Sequence, residues 1–286
     1  MNRRTMIAGT LSAVALGSLR PGSLFAQSTP AATSADYPEL LIVVNENGFT
    51  VPQPLAAGRY RITMRNDSTQ PAHTGFGRLP DGAKFEDFDA MGEDAEKPVN
   101  GHAFVDIGFV GQADWPAPGG GTSTGIVDLP AGTYVIFDPI GPRTTQKGVK
   151  DGEAPAMPDP PSDLTVELAD LSITFPSLKL TAGKQTWKIE NKGALIHEIA
   201  VIPVSETLTE DQLMEIFSMP EDATPAPGQP TLDYDPKAAT GMLRPQGTSW
   251  IEADFAPGRY LAICMLPIPG PLPHGMEGML AFIEVV

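Results

Sequence analysis

Residues 255–286 read FAPGRYLAICMLPIPGPLPHGMEGMLAFIEVV. This stretch contains one apolar run that ends at Cys264, a proline-rich segment, and a second apolar run that closes the chain as LAFIEVV. Short apolar runs between Gly and Pro turns are typical of strands in a sandwich or barrel. The stretch therefore predicts two strands joined by a long loop, with Cys264 at the end of the first.

The pattern occurs twice in the chain, at an offset of about 125 residues. GTSTGIVDLPAGTYVIFD, which starts at Gly121, aligns with GTSWIEADFAPGRYLAIC, which starts at Gly247. LAAGRYRITMRND at residues 55–67 aligns with LTAGKQTWKIENK at residues 180–192. Two matching blocks in one order predict a duplicated domain, and two copies are too few for a solenoid.

Within each copy the apolar residues mostly follow a period of two, as in residues 164–168, which predicts half-buried strands. One segment, TLTEDQLMEIFSMP, departs from this period. Thr209 can cap a helix there, and Gln212 stands three residues later as the partner in a capping box. We expect a short helix from about Glu210 to Ser218 in an otherwise all-β chain.

The first 28 residues have the composition of an export signal. A basic start with adjacent Arg3 and Arg4 precedes an apolar stretch, and small residues follow near Ala26 and Ser28. The paired arginines indicate the twin-arginine route, with an ordinary secretory signal as the alternative. No other stretch has the ~18 apolar residues of a membrane span. We expect a periplasmic or extracellular protein without a membrane span in the mature chain.

The remaining chain divides into two predicted domains. Residues 36–146 hold the first copy and residues 161–286 the second. The segment KGVKDGEAPAMPDPPSD, which starts at residue 147, is rich in Pro, Gly and charge. Such clusters are typical of loops, so residues 147–160 are predicted to be a linker.

Composition excludes several classes of function. Nineteen basic and 35 acidic residues give a net charge of −16, which would repel the phosphates of a nucleic acid. Residues 1–35 hold three arginines and no acid, so the charge of the mature chain is −19. A single cysteine excludes an internal disulfide framework and iron–sulfur sites that need three or four thiolates from one chain.

The second copy carries a set of residues suited to copper. His197 follows a predicted strand, Cys264 ends another, and His274 and Met279 come after it. A thiolate, two imidazoles and a weakly bound thioether form the ligand set of a blue-copper electron-transfer site. Each residue alone has a simpler interpretation, since a lone cysteine is commonly a small buried apolar residue. Met276 is a second candidate for the thioether.

Residues 161–286 resemble the cupredoxins, the superfamily of plastocyanin and azurin. ADLSITFPSLKLTAGKQTWKIENKGALIHE is similar to their opening strands and first histidine ligand, and residues 255–286 are similar to their closing strands and ligand loop. The resemblance implies two tandem cupredoxin-like Greek-key β-sandwiches and a copper ion held by His197, Cys264, His274 and Met279. The loop from Cys264 to His274 is longer than in single-domain blue copper proteins and closer to that of copper nitrite reductases.

Two classes of copper enzyme fit the sequence poorly. Multicopper oxidases need paired His-x-His motifs, whereas the four histidines here, at positions 73, 102, 197 and 274, are unpaired. Copper nitrite reductases need further histidines for a second copper. A hydrolase is equally unsupported, because no Gly-x-Ser-x-Gly elbow is present. The sequence-based prediction is that the protein is not an enzyme.

The predicted function is one-electron transfer in the cell envelope. We expect the electron to pass through an exposed edge of His274, among the apolar side chains of Leu266, Ile268 and Leu272, to a basic redox protein such as a c-type cytochrome or an oxidoreductase. The alternative is a binding module, which would carry or sense copper or work without metal on a cupredoxin scaffold.

The first copy lacks most of the ligand set. Asp138 aligns with Cys264, and the residues DPIGPRTTQKG that follow contain no histidine or methionine. His73 alone aligns with a ligand, His197, with one residue of slippage. His73, His102 and Asp138 together could hold zinc or Cu(II), but no pattern in the sequence places His102 near the other two. We predict that the first domain binds no blue copper.

Overall fold

The computed structural model describes residues 37–52, 54–92, 94–141, 143–150, 157–219, 232 and 234–286. The predicted export signal, residues 1–28, lies outside this part of the chain. No helix among the described residues is long and apolar enough to cross a membrane.

The first half consists mainly of short strands. Its strands are β1 (Glu39–Asn45), β2 (Gly48–Thr50), β3 (Gly58–Asn66), β4 (Gly75–Arg78), β5 (Gly108–Phe109), β6 (Gly121–Leu129), β7 (Gly132–Phe137) and β8 (Thr144–Val149). A five-residue helix, α1 (Phe88–Gly92), and 3₁₀ turns at Phe85–Asp87 and Phe104–Asp106 lie between β4 and β6.

The second half repeats this order with one additional strand, β11 (Lys179–Leu180). Its strands are β9 (Leu164–Ala169), β10 (Ser172–Thr174), β11 (Lys179–Leu180), β12 (Gly183–Asn191), β13 (Ala200–Val204), β14 (Ala238–Ala239), β15 (Thr248–Phe255), β16 (Gly258–Ile263) and β17 (Leu280–Val285). The helix α2 (Glu210–Ser218) follows β13, and a 3₁₀ turn at His274–Glu277 precedes β17.

One eight-stranded sheet runs through both halves, in the order β10-β9-β12-β15-β6-β3-β1-β2. The halves meet where β15 pairs antiparallel with β6, and the central pair of that junction is Ile251 with Gly125. These two residues occupy the same position in the sequence repeat. A Cβ at Gly125 would lie 2.4 Å from the carbonyl oxygen of Trp250, so the close approach of the two strands requires glycine there.

Each half adds a second, smaller sheet. The first half contributes β5-β4-β7-β8 and the second contributes β11-β17-β16-β13-β14. Apolar side chains at alternate positions, such as Ile62 and Met64 on β3 and Trp187 and Ile189 on β12, are fully buried. This alternation is the signature of strands with one face on a core. The predicted fold class, all-β with two tandem cupredoxin-like sandwiches, is confirmed.

The repeat seen in the sequence has a matching hydrogen-bond pattern. The side chains of Asn66 and Asn191, each at the end of its strand, are fully buried and donate to the carbonyl oxygen four residues later. The hydroxyls of Tyr134 and Tyr260 donate to the carbonyl oxygen four residues earlier, at 2.8 Å in both copies. These side chains fix the same corners in both sandwiches.

Helix α2 begins and ends as predicted. The Thr209 hydroxyl accepts from the backbone N–H of Gln212 at 3.2 Å, and the Gln212 side chain accepts from the backbone N–H of Thr209 at 3.0 Å. This reciprocal pair satisfies two backbone donors that the first turn leaves free. Leu213 anchors the helix in the core with no exposed surface.

The first residues of the predicted linker form a strand instead. Strand β8 continues to Val149, so the first residues of the predicted linker 147–160 belong to a sheet. The charge of Lys147 suggested a loop, but the side chain is buried and its ammonium donates to the carbonyl oxygen of Pro52. At the far end, the Tyr37 hydroxyl and the Arg59 guanidinium both donate to the carbonyl oxygen of Pro158.

Candidate metal centre

The predicted ligands lie at one end of the second sandwich. His197 stands three residues before β13, Cys264 directly follows β16, and Met279 directly precedes β17. In the small sheet β16 lies between β13 and β17 and runs antiparallel to both. The end of β16 therefore meets the starts of its two neighbours, which brings the three positions together.

Three donor atoms converge at this end. Nδ1 of His197 lies 3.2 Å from Nδ1 of His274, and the latter lies 3.5 Å from Sγ of Cys264. One ligand atom from each of the three residues falls within 4.8 Å of the others, and all three side chains are buried. It is the only such group of His, Cys, Asp or Glu side chains in the described part of the chain. Two imidazoles and a thiol suit a soft or borderline metal such as copper or zinc.

The loop after Cys264 is closed by backbone hydrogen bonds. The N–H of His274 donates to the carbonyl oxygen of Leu266 at 2.9 Å, and the N–H of Gly275 donates to that of Cys264 at 2.7 Å. A Cβ at Gly275 would lie 2.5 Å from the Ile263 side chain and 3.0 Å from the Cys264 carbonyl oxygen. Glycine at this position lets the returning chain reach the cysteine.

Met279 is tied to the same group through its backbone. Its carbonyl oxygen accepts from the N–H of Cys264 at 3.2 Å, and its N–H donates to the carbonyl oxygen of His274 at 2.9 Å. The Met279 side chain is fully buried, whereas Met276 is partly exposed. Burial favours Met279 as the thioether ligand, and its choice over Met276 stays a prediction.

Asp170, which the sequence analysis did not single out, orients His197. Its Oδ1 lies 3.2 Å from Nε2 of His197, and its carboxylate accepts backbone N–H groups of Ala194 and Leu195. With Nε2–H directed at Asp170, Nδ1 is left free as a ligand atom. The residue lies in the turn between β9 and β10, and only tertiary structure brings it to the histidine.

The loop from Asn191 to His197 is fixed by backbone contacts. The Asn191 amide donates to the carbonyl oxygens of Leu195, at 2.8 Å, and Leu243, at 3.0 Å. His197 and Leu243 exchange two backbone hydrogen bonds. A Cβ at Gly193 would lie 2.3 Å from the Asp170 carboxylate, so a side chain at this position of the loop would collide with Asp170.

Burial controls the protonation of the candidate ligands. It raises the pKa of the Cys264 thiol to about 12, and the charge of Glu198 acts in the same direction. Backbone N–H groups of Glu198 and Leu266 oppose this rise by hydrogen bonding to the sulfur. Burial also lowers the pKa of His197 below its ordinary value, although Asp170 acts against it. A neutral imidazole can bind a metal ion directly, and the neighbouring thiol can bind the same ion by releasing its proton.

The first half has different contacts at the corresponding place. Asp138, which aligns with Cys264, forms a buried ion pair with Arg143, and the guanidinium also donates to the hydroxyl of Ser68 at 3.1 Å. His73 lies between two other carboxylates, Asp114 and Glu198. His102 belongs to a separate turn, in which its backbone pairs with Val99.

One expectation about the surface is wrong. His274 was predicted to present an exposed edge, but only 2% of its surface is accessible. Leu266 is also buried, at 4%, and Leu272 alone of the three predicted apolar neighbours is well exposed, at 45%. The loop is folded back on the sandwich by its hydrogen bonds to Cys264 and Leu266, so its apolar residues cover the histidine instead of framing an opening.

Comparisons with known proteins give matches among solved structures. No family model matches the chain, and no curated protein matches it. An auracyanin from Roseiflexus castenholzii is 25% identical over 44% of this chain and 99% of its own length, with a TM-score of 0.29. Auracyanin A from Chloroflexus aurantiacus, described as a blue copper protein, is 23% identical over 43% and 98%, with a TM-score of 0.28.

Multicopper oxidases match a larger part of the chain. The enzyme from Pediococcus acidilactici is 11% identical over 87% of this chain and 59% of its own, with a TM-score of 0.27. The matched proteins share the cupredoxin fold. This chain has a cupredoxin-like fold. All these TM-scores are below 0.5, so the conclusion rests on the sheet order and the repeated corners, and the matches add no argument about function.

The prediction that the protein is not an enzyme is contradicted. The similar structures include multicopper oxidases whose matches cover 87% of this chain. The absence of His-x-His pairs was the basis for excluding that class, and the matches extend over both halves despite it. The non-enzymatic prediction is therefore wrong, and the low TM-scores give no argument for a particular reaction either.

Proposed function

We propose that the second sandwich binds one copper ion and transfers single electrons through it. The observation that carries the proposal is the convergence of Cys264 Sγ with Nδ1 of His197 and of His274 in a buried site. A thiol and two imidazoles whose ligand atoms lie within 4.8 Å of one another suit a metal ion. With Met279 they make the ligand set of a type 1 copper site.

Copper bound there would supply a centre that changes between Cu(II) and Cu(I). The chain's part is to hold the donors in place: Asp170 orients His197, the 3₁₀ turn positions His274, and backbone N–H groups of Glu198 and Leu266 support the Cys264 sulfur. A site fixed by so many backbone contacts changes little in geometry when the charge changes. The surrounding apolar side chains keep water out.

We also propose that the protein works outside the cytoplasm with a basic redox partner such as a c-type cytochrome or an oxidoreductase. The basis is the predicted export signal in residues 1–28 and the charge of −19 for the mature chain. The exposed side chain of Leu272, on the loop that covers His274, offers a small apolar contact for a short-lived complex.

An absorption spectrum of the copper-loaded mature chain tests the centre. We expect an intense visible band from thiolate-to-copper charge transfer, and we expect Cys264→Ser to abolish it, because serine lacks the soft donor. Ser205→Ala, an exposed residue just after β13, at the opposite end of that strand from His197, is a control that should keep the band. Far-ultraviolet circular dichroism checks that each variant folds. A colourless wild type, or a Cys264→Ser variant that stays blue, contradicts the proposal.

A further inference from the structure

A buried charged cluster joins the two halves next to the candidate metal centre. Nδ1 of His73 lies 3.1 Å from Oδ2 of Asp114, and Nε2 of His73 lies 3.2 Å from Oε2 of Glu198. His73 and Asp114 belong to the first half and Glu198 to the second. The three side chains are between 0% and 5% exposed.

Two carboxylates favour the cationic form of His73. Each ring nitrogen lies within 3.2 Å of a carboxylate oxygen, and the two negative charges stabilise the imidazolium. Burial alone would lower the pKa of His73, but the negative charges of Glu198 and Asp114 outweigh it and raise that pKa well above its ordinary value. Removing one partner of such a buried pair leaves an uncompensated charge.

The cluster is anchored in the backbone of both halves. The Asp114 carboxylate accepts from the backbone N–H of Thr74 at 3.0 Å, and the N–H of Asp114 donates to the carbonyl oxygen of Ala239 at 3.1 Å. The ring of Trp115 packs on His73, with 4.8 Å between centroids. His73 is therefore held in place independently of Glu198.

Glu198 connects this cluster to the copper ligands. It directly follows His197 in the chain, and its backbone N–H hydrogen bonds to the Cys264 sulfur. The side chain points the other way, to His73. A shift of Glu198 toward or away from His73 therefore also moves the Glu198 backbone N–H, which supports the Cys264 sulfur. It also moves the adjacent candidate ligand, His197.

His73 no longer has the surroundings of a ligand in its own half. Asp138, at the position of the cysteine, is neutralised by Arg143. The residue that follows His73 is Thr74, whereas the residue that follows His197 is the acidic Glu198. Glu198, one of the two acids that flank the imidazolium, thus belongs to the half that holds the candidate centre.

We propose that His73 is a positioning residue for the copper centre of the opposite half. Its imidazolium holds and neutralises Glu198, and through Glu198 it sets the hydrogen bond to the Cys264 sulfur and the charge next to the metal. This inference rests on the proposed copper site. It gives the first half a role in tuning the reduction potential without binding metal itself.

A double-mutant cycle on the copper-loaded mature chain tests the inference. His73→Gln leaves Glu198 uncompensated, and a buried negative charge favours Cu(II) over Cu(I). We expect the ratio of the affinity for Cu(II) to the affinity for Cu(I) to rise by about tenfold. For a one-electron couple this lowers the reduction potential by ~59 mV. The visible band should also shift. In a Glu198→Gln background the additional His73→Gln change should have little effect, because the residue through which His73 acts is gone.

His102→Gln is the matched control, since it makes the same change in the same half outside the cluster. It should leave the potential and the band unaltered. Unfolding of the copper-free variants provides a second readout, in which His73→Gln and Glu198→Gln should be strongly non-additive. A blue wild type whose potential and band do not respond to His73→Gln, or respond equally in both backgrounds, overturns this inference alone. A wild type without a blue band overturns the proposed function and this inference together.

Discussion

A single hydrogen bond decides which nitrogen of His197 is available to a metal. Asp170 occupies Nε2, and its carboxylate is itself held by two backbone N–H groups, so it cannot easily turn away. Although partial burial opposes it, the hydrogen bonds from Ala194, His197 and Leu195 keep the pKa of Asp170 below its ordinary value. The carboxylate therefore stays charged and keeps the imidazole in one orientation.

Asp170→Asn should weaken copper binding by about 10- to 100-fold, the usual effect of losing a partner that orients a metal-binding histidine. Competition with a chelator of known affinity measures the change. Asp163→Asn is the control, because Asp163 also accepts a backbone N–H, from Thr186, but makes no contact with a histidine ligand. Equal copper affinity of Asp170→Asn and wild type would show that the ring is held by other contacts.

Met279→Leu should leave copper bound and raise the reduction potential, because loss of a weak axial donor disfavours Cu(II) more than Cu(I). Met276→Leu, three residues away and partly exposed, should leave the potential unchanged. Equilibrium redox titration of both variants makes the comparison. A shift in the Met276 variant alone would assign the thioether to that residue.

At the scale of elements, the site depends on three neighbouring strands in the small sheet of the second half. β13, β16 and β17 bring His197, Cys264 and Met279 to one end, while α2 packs against the same half through Leu213. The capping hydrogen bonds of the helix join Thr209 and Gln212, neither of which is a candidate ligand. Stability of the sandwich and assembly of the centre can therefore be separated by mutation.

Thr209→Ala should reduce the free energy of unfolding by ~1 kcal/mol, since it removes the N-cap of α2. The visible band should not change. Urea denaturation followed by circular dichroism measures the difference, and Thr207→Ala, an exposed threonine just before the cap, serves as the control. If both variants unfold at the same urea concentration as wild type, the cap contributes nothing to the fold.

The local features were predictable from the sequence, and the long-range ones were not. Period-two alternation and the capping box depend on neighbours along the chain, so the strands and α2 could be read directly. The pairing of β6 with β15 could not be predicted, because an alternating pattern does not specify which other strand it pairs with. The contacts of Glu198 with His73, and the burial of His274, likewise depend on residues far away in sequence.

At the scale of the whole molecule, the two halves are not independent domains connected only by a linker. They share the eight-stranded sheet, and the segment around Gly111 hydrogen bonds to the segment around Met242. Trp250 of the second half is buried beside Ile126 and Tyr37 of the first. Cutting the chain between the halves would expose these apolar side chains and the edge of β6.

The net charge gives a prediction at this scale. Association of the mature chain with a basic redox protein should slow as salt is added, because exposed charges are screened beyond ~8 Å at physiological ionic strength. Stopped-flow measurement of electron transfer to a basic c-type cytochrome at several salt concentrations provides the rates. An acidic cytochrome is the control and should show no such slowing. Rates that are independent of salt with the basic partner would indicate a purely apolar docking face.

The register of the β6–β15 junction has an evolutionary consequence. Gly125 and Ile251 occupy the same place in the repeat and face each other, so each copy presents the same strand to the other. This is the isologous contact of a homodimer with a twofold axis. A single-domain protein with this edge would be expected to dimerise through it. Joining two copies in one chain lets them differ in sequence, as they do at Asp138 and Cys264.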